Sequence, residues 1–295
     1  MMIAFFLLPA LLGLALFVNL ADDDDDAADD GVTEPPVDVQ VADDEDAFIG
    51  SSSDENITAR DAGGYIDGGD GNDKIVGSEE TDILLGGAGN DVIFAQGGND
   101  YVSGDAGDDR IFLGDGDDAV APVDDLSNLA GDDLIRGGAG NDLIGDFLGS
   151  NQLFGDLGSD TLVAFDGLNE NGVYERPEEL GSTDTLSGGF GNDILAGDDG
   201  DIMTGGEGRD TFYATDSEDV DLDEVTITDF NTAEDNLFIV KTYSGNSGEV
   251  VGLDYDSEMN GVRVTFEGRA IAFLSGVGAA DIPAISTFIT TTEQL

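Results

Sequence analysis

From Gly68 the chain repeats every nine residues, and this period constrains its fold more than any other feature. The first unit is GGDGNDKIV, Gly68 to Val76. GSEETDILL, GGAGNDVIF, AQGGNDYVS, GDAGDDRIF and LGDGDDAVA follow to Ala121 with no residue inserted or lost. The sixth position is Asp throughout: Asp73, Asp82, Asp91, Asp100, Asp109 and Asp118. The eighth is apolar throughout: Ile75, Leu84, Ile93, Val102, Ile111 and Val120. After the insert Pro122–Ser127, four more units bring Asp133, Asp142, Asn151 and Asp160 to the sixth place. A longer insert, 164–178, precedes a third block that supplies Asp184, Asp193, Asp201 and Asp210.

Each unit has a mechanical reading. The glycine-rich half is a turn, because glycine accepts positive φ without steric cost and lets backbones approach closely. The other half, such as Lys74-Ile75-Val76, is a short strand whose eighth residue points inward. One unit cannot bury its own apolar face, so stability comes from stacking units into a solenoid.

Composition excludes several chemistries. With no Cys and no His, the chain can form no disulfide, thiolate nucleophile, ordinary zinc site or Ser-His-Asp unit. It holds 66 Asp+Glu against 9 Lys+Arg, a net charge of −57, which repels nucleic acid and anionic lipid headgroups. Self-repulsion on that scale opposes compaction, yet 40% of residues are hydrophobic, too many for a wholly disordered chain. A counter-charge from outside the sequence resolves the conflict, and metal cations are the obvious source.

The units resemble the G-G-x-G-x-D-x-U-x nonapeptide of the RTX, or hemolysin-type calcium-binding, family. The resemblance spans about Gly68 to Tyr213. It implies an all-β fold, a parallel β-roll with 18 residues per coil and turns on two sides. It also implies several Ca²⁺ ions between stacked turns. Their ligands would be the aspartates at 73, 82, 91, 100, 109, 118, 133, 142, 160, 184, 193 and 210. Turn carbonyls would join them around Gly69, Gly71, Gly87, Gly89, Gly107, Gly138, Gly140, Gly189, Gly191, Gly206 and Gly208. Asp73, Asp91 and Asp109 would line one side, and Asp82, Asp100 and Asp118 the other. The ligand chemistry agrees: carboxylate and carbonyl oxygens are hard donors, and Ca²⁺ takes six to eight in flexible geometry. Gly-Asp turns can also form without metal, but stacked Asp rows would then set like charges close together.

Departures from the pattern weaken particular sites. Glu79-Glu80 stand where glycines belong, Asn151 replaces Asp, and Asp201 sits in a unit one residue short. In the second insert Asn169, Asn171, Gly172 and Glu178 fall on EF-hand-like spacing, but Gly167 holds the first position. An ordinary lateral loop is the better reading there.

The flanks differ. Residues 1–20 are uncharged and long enough to span a bilayer, which fits an uncleaved anchor, a cleaved signal or a soluble apolar arm. No Lys or Arg precedes Arg60, so a standard basic n-region is missing. Residues 21–62, with Asp22–Asp26, Asp29-Asp30 and Asp43–Asp46, read as an acidic disordered linker. The roll is expected over 63–213 and a β-rich C-terminal cap over 214–295, because a solenoid end exposes strand edges. Strands are predicted near Val225–Phe230, Leu237–Val240, Val250–Leu253, Val262–Phe266 and Ala270–Leu274, with a hairpin turn at Glu267-Gly268-Arg269. ITDFNTAEDNLFIV resembles the segment that follows the repeats in secreted RTX proteins, which implies type I export from a bacterium.

These readings converge on a non-enzymatic calcium-binding protein, extracellular or on the cell surface, whose folding is coupled to calcium. Membrane attachment would run through residues 1–20, and a protein or glycan partner is unspecified. An adhesin or surface-layer component is a compatible alternative. A carboxylate-pair enzyme is the other, but no H-E-x-x-H, G-x-S-x-G or P-loop motif is present.

Overall fold

The computed structural model describes residues 36–42, 47–120, 131–146, 148–165, 182–198, 200–216, 223–241 and 251–291. Among them the regular structure is two sheets, of thirteen and eleven strands, and one 3₁₀ turn at Ile282–Ala284. From Val37 to Lys241 successive strands along the chain fall alternately in the two sheets, so each coil contributes one strand to each. Lys74–Val76 pairs in parallel with Val92–Gly97, and that strand with Arg110–Asp115. The register advances by 18 residues per coil, from Ile75 to Ile93 to Ile111. This is the parallel β-roll of 18-residue coils that the family resemblance implies.

The core is two apolar ladders facing each other. Ile57, Ile75, Ile93, Ile111, Ile135, Leu153, Leu186 and Met203 stack in the first sheet, each at most 1% exposed. In the second, Ile66, Leu84, Val102, Val120, Ile144, Leu162, Leu195, Phe212 and Leu237 do the same. All are eighth-position residues or their equivalents. Full burial of such a side chain is worth about 1.5–3 kcal/mol, and parallel strands covered on the inner face by one another suit branched aliphatics.

Two expected boundaries move outward. The acidic linker expected over 21–62 gives way to structure earlier: Val37–Gln40, Ala47–Ile49 and Glu55–Thr58 are strands paired in parallel with the roll. These coils lack the glycine pattern, and apolar alternation at Val39, Ile57 and Ile66 is what extends the ladder. At the other end both ladders continue past Tyr213, through Val225–Ile227 and Asn236–Lys241. The cap is an antiparallel meander of Val251–Asp256, Gly261–Phe266 and Arg269–Ser275, joined to the first sheet through Val225–Ile227. Glu267 and Gly268 both take positive φ, 53° and 87°, as a two-residue type I′ hairpin requires. Thr287–Thr291 closes the second sheet.

Residues 1–35, most of both inserts and the EF-hand-like loop lie outside the described residues. Among the described residues no helix is long and apolar enough to cross a membrane.

Adjacent residues test the two-residue period. Met203 is fully buried and Ile202 is 38% exposed. Met203→Ala should lower the stability of the folded protein by about 2–5 kcal/mol, and Ile202→Ala by less than half of that. Denaturant midpoints for both variants check this, and equal losses would contradict the inward assignment.

Candidate metal sites

The sixth-position side chains turn back into the roll and form two continuous rows. The Asp73 N–H donates to Oδ1 of Asp91, the Asp91 N–H to Asp109, and the Asp109 N–H to Asp133, each at 2.7 Å. The row runs on through Asn151, Asp184 and Asp201. On the opposite side Asp82 donates to Asp100, Asp100 to Asp118, Asp118 to Asp142 and Asp142 to Asp160. Asp193, Asp210 and Asp235 complete that row. Every aspartate expected from the pattern is in a row, on the expected side for the first six. Each bond satisfies a backbone N–H at a strand entrance, where the parallel ladder has no carbonyl to offer.

One oxygen of each carboxyl is thus used, and for most members of the two rows the other is not. Oδ2 of Asp73, Asp91, Asp100, Asp109, Asp118, Asp142, Asp160 and Asp193 is buried with no hydrogen-bond partner. A buried unsatisfied polar atom is costly, more so when charged. Burial pushes these carboxyls up: Asp73 and Asp193 to about 6, Asp91, Asp100 and Asp142 to about 7, and Asp109 to about 8, with neighbouring aspartates adding to the rise. In six of these units the free oxygen looks toward the unit's first glycine. A Cβ at Gly68 or Gly86 would come within 2.4 Å of Oδ2 of Asp73 or Asp91. Gly104, Gly137, Gly155 and Gly188 stand in the same relation to Asp109, Asp142, Asp160 and Asp193. Sequence reasoning did not single out this first glycine, although its recurrence five residues before the Asp is visible there.

The second and fourth glycines, those expected around the metal, do a different job. Gly87 and Gly89 have φ of 107° and 132°, and a Cβ on either would fall on the carbonyl oxygen of Gly69 or Gly71 one coil earlier. Gly107, Gly138, Gly140, Gly189, Gly191, Gly206 and Gly208 repeat this. Turn carbonyls are therefore stacked in columns beside the Asp rows. Among the described residues no three carboxylates converge on one point. A cation here would instead take a free carboxyl oxygen together with turn carbonyls from adjacent coils. That all-oxygen set suits Ca²⁺, which accepts carbonyl and carboxylate donors in irregular number and geometry.

The departures have a structural counterpart. Asp82 spends its second oxygen on the Ser78 N–H and hydroxyl (2.7 and 2.9 Å), within the turn that contains Glu79-Glu80. Asp201 spends its own on the Asp198 N–H (2.8 Å), and Asp235 on that of Asn231 (2.7 Å). In these three turns protein N–H groups fill the position left open elsewhere. Contrary to a simple expectation from its short unit, Asp201 keeps its place in the row, because the missing residue is taken from the turn and the coil shortens to 17. Asn151 also keeps the row, its Oδ1 accepting from Asp133. A second ladder, not foreseen, links exposed fifth-position side chains to the next coil: Asn90 N–H to Asn72 Oδ1, and Asp108 N–H to Asn90 Oδ1.

The raised carboxyls set the pH response of the metal-free protein. Their ordinary value is 3.8, and the fold raises it to about 6–8. The stability lent by protonation is complete below the lower value and is lost as pH rises through the higher ones. Metal-stripped protein should therefore gain β-structure on acidification from pH 8 toward pH 4. Circular dichroism across that range checks it; a signal that falls on acidification would contradict the burial of these groups.

A sequence profile of the RTX calcium-binding nonapeptide repeat (4 copies) matches residues 49–120, 129–167 and 181–220 in overlapping copies, together about half of the chain. A comparison with curated proteins gives no match. Among solved structures, the extracellular lipase LipA from Serratia marcescens aligns at 17% identity with a TM-score of 0.25, covering 81% of this chain and 45% of the lipase. The chain thus spans under half of that lipase's length, and a likeness this weak says nothing of activity. The repeats, the stacked aspartates and the profile agree: this chain belongs to the RTX calcium-binding nonapeptide repeat family.

Proposed function

We propose that this protein binds several Ca²⁺ ions along the two turn rows, and that its folding depends on them. The observation that carries this is the line of buried carboxyl oxygens with no hydrogen-bond partner, set beside stacked turn carbonyls. Asp73, Asp91, Asp100, Asp109, Asp118, Asp142, Asp160 and Asp193 would be the carboxylate ligands, each with carbonyls from its own and the adjacent turn. Asp133, Asp184 and Asp210 hold equivalent row positions. Asp82 is the weakest member, since its own turn already occupies it. Bound calcium would remove like-charge repulsion within each row, and binding free energy would become folding free energy.

The role is structural rather than catalytic, because the conspicuous carboxyls belong to repeating turns. Extracellular or cell-surface residence follows from the same chemistry, since sites of this class saturate near extracellular calcium, on the order of 0.1–1 mM. A C-terminal export signal and attachment through residues 1–20 belong to the same reading.

Calcium added to chelator-treated protein at neutral pH should raise β-structure steeply in the millimolar range, and Mg²⁺ at tenfold more should not, because it demands a tighter octahedron. A β-spectrum unchanged by chelator, or Mg²⁺ acting as well as Ca²⁺, would overturn the proposal. Asp91→Ala should shift the calcium midpoint upward and flatten the transition. Asp201→Ala should instead lower stability at saturating calcium, by about 1–3 kcal/mol for each buried N–H left unsatisfied, with little change in midpoint. Isothermal titration of both variants separates the two effects.

A further inference from the structure

The outer face of the first sheet carries a feature that calcium binding does not use. Two columns of outward side chains run along it, one through Lys74, Val92, Arg110 and Leu134, the other through Phe94, Phe112, Arg136 and Phe154. The chain has only 9 Lys+Arg, and three are on these columns. Among the described residues no acid pairs with Lys74 or Arg110, although acids outnumber bases seven to one. The second sheet's corresponding columns, through Ile83, Tyr101 and Leu143 and through Leu85 and Ser103, hold no cation.

Two of the three cations lie over aromatic rings. Phe94 and Phe112 stack at 5.0 Å and 9°, Lys74 Nζ lies 5.8 Å from the Phe94 ring, and Arg136 Cζ lies 5.1 Å from Phe154. A bidentate pair with Asp156 neutralises Arg136. Beside Lys74 a groove of about 440 Å³ opens between Asp38, Gln40, Asn56, Thr58 and Val76, in which the Asn56 amide donates to Asp38 and the Gln40 amide to the Thr58 and Ala59 carbonyls. Amides, a hydroxyl and the Asp38 carboxylate, two cations without an acid partner among the described residues, and phenyl edges thus adjoin on one face.

We propose that this face docks a linear acidic polysaccharide lying along the roll axis. Its carboxylates would meet Lys74 and Arg110, its hydroxyls would donate to Asp38 and the amide oxygens of the groove, and its ring C–H groups would meet the phenyl edges. Spacing favours a glycan over an acidic peptide. Lys74 and Arg110 are two coils apart in one column, about 9.6 Å at the usual strand separation, whereas an extended peptide repeats its same-side groups about every 6.8 Å. A sugar ring is about as long as one coil is thick, so alternate uronates would fall opposite the two cations.

The test uses the full chain in calcium, or without it should the β-spectrum prove calcium-independent, so that this proposal and the calcium reading fail separately. The probe is a galacturonate hexamer, too short to gel, compared with a glutamate hexamer and a neutral glucan by isothermal titration. The uronate should bind, the glutamate peptide at least severalfold more weakly, and the glucan not measurably. Lys74→Gln/Arg110→Gln should weaken the uronate roughly fivefold to twentyfold, two exposed charge contacts being lost, and Lys74→Arg/Arg110→Lys should restore it, with the β-spectrum intact in both. No binding to the folded protein, equal binding of peptide and uronate, or indifference to Lys74→Gln/Arg110→Gln would overturn the proposal; the last would place the glycan on the calcium turns.

Discussion

The structure depends on one interaction repeated along its length: an aspartate Oδ1 accepting the backbone N–H of the aspartate one coil away. It fixes the axial register of every coil at the strand entrance, and it forces the carboxyl inside. The same bond creates the difficulty of the fold, since it stacks like charges at the strand spacing, about 4.8 Å. At an effective dielectric near 20 each such contact would cost about 3–4 kcal/mol if both groups were ionised. Either the proton or a cation has to be there. The upward push on these carboxyls and their unused oxygens are two expressions of that one requirement.

Glycine serves this arrangement in two distinct ways. The first glycine of a unit leaves room for the carboxyl itself, while the second and fourth let one turn lie directly on the carbonyls of the turn before. The irregular units show how far the pattern can be broken. With Ser78 and Glu80 in place of the second and fourth glycines, the row survives but its aspartate is satisfied from within the turn. The shortened coil at Asp201 behaves alike. Row continuity and an open oxygen are therefore separable properties, and metal chemistry needs the second.

Outside the turns, the strands face solvent with few acids, and the two sheets differ there. The acidic charge of the chain is concentrated on the turns, where cations could neutralise it, leaving flat faces whose character is set by a handful of side chains. On the first sheet these are stacked phenyls and cations; at the C-terminal end of the second, Tyr213, Phe238 and Phe288 stack instead.

The family resemblance carried the parallel roll and the two Asp rows; the nine-residue period alone determined the stacking of units and the inward ladder of eighth-position aliphatics. It could do so because each is a property of local spacing repeated without error from Gly68 to Ala121. Tertiary structure decided what spacing does not encode. Roll coils begin at Val37, where no glycine turn announces them, because an exposed ladder of Ile57 and Ile66 would otherwise lack a cover. Asp201 stays in register because a turn can shed one residue while the strand pairing cannot. Whether a given carboxyl oxygen is free or taken, as between Asp91 and Asp82, depends on which N–H groups the neighbouring turn presents. Lys74 and Arg110, 36 positions apart in sequence, share a column only because two successive 18-residue coils bring them there.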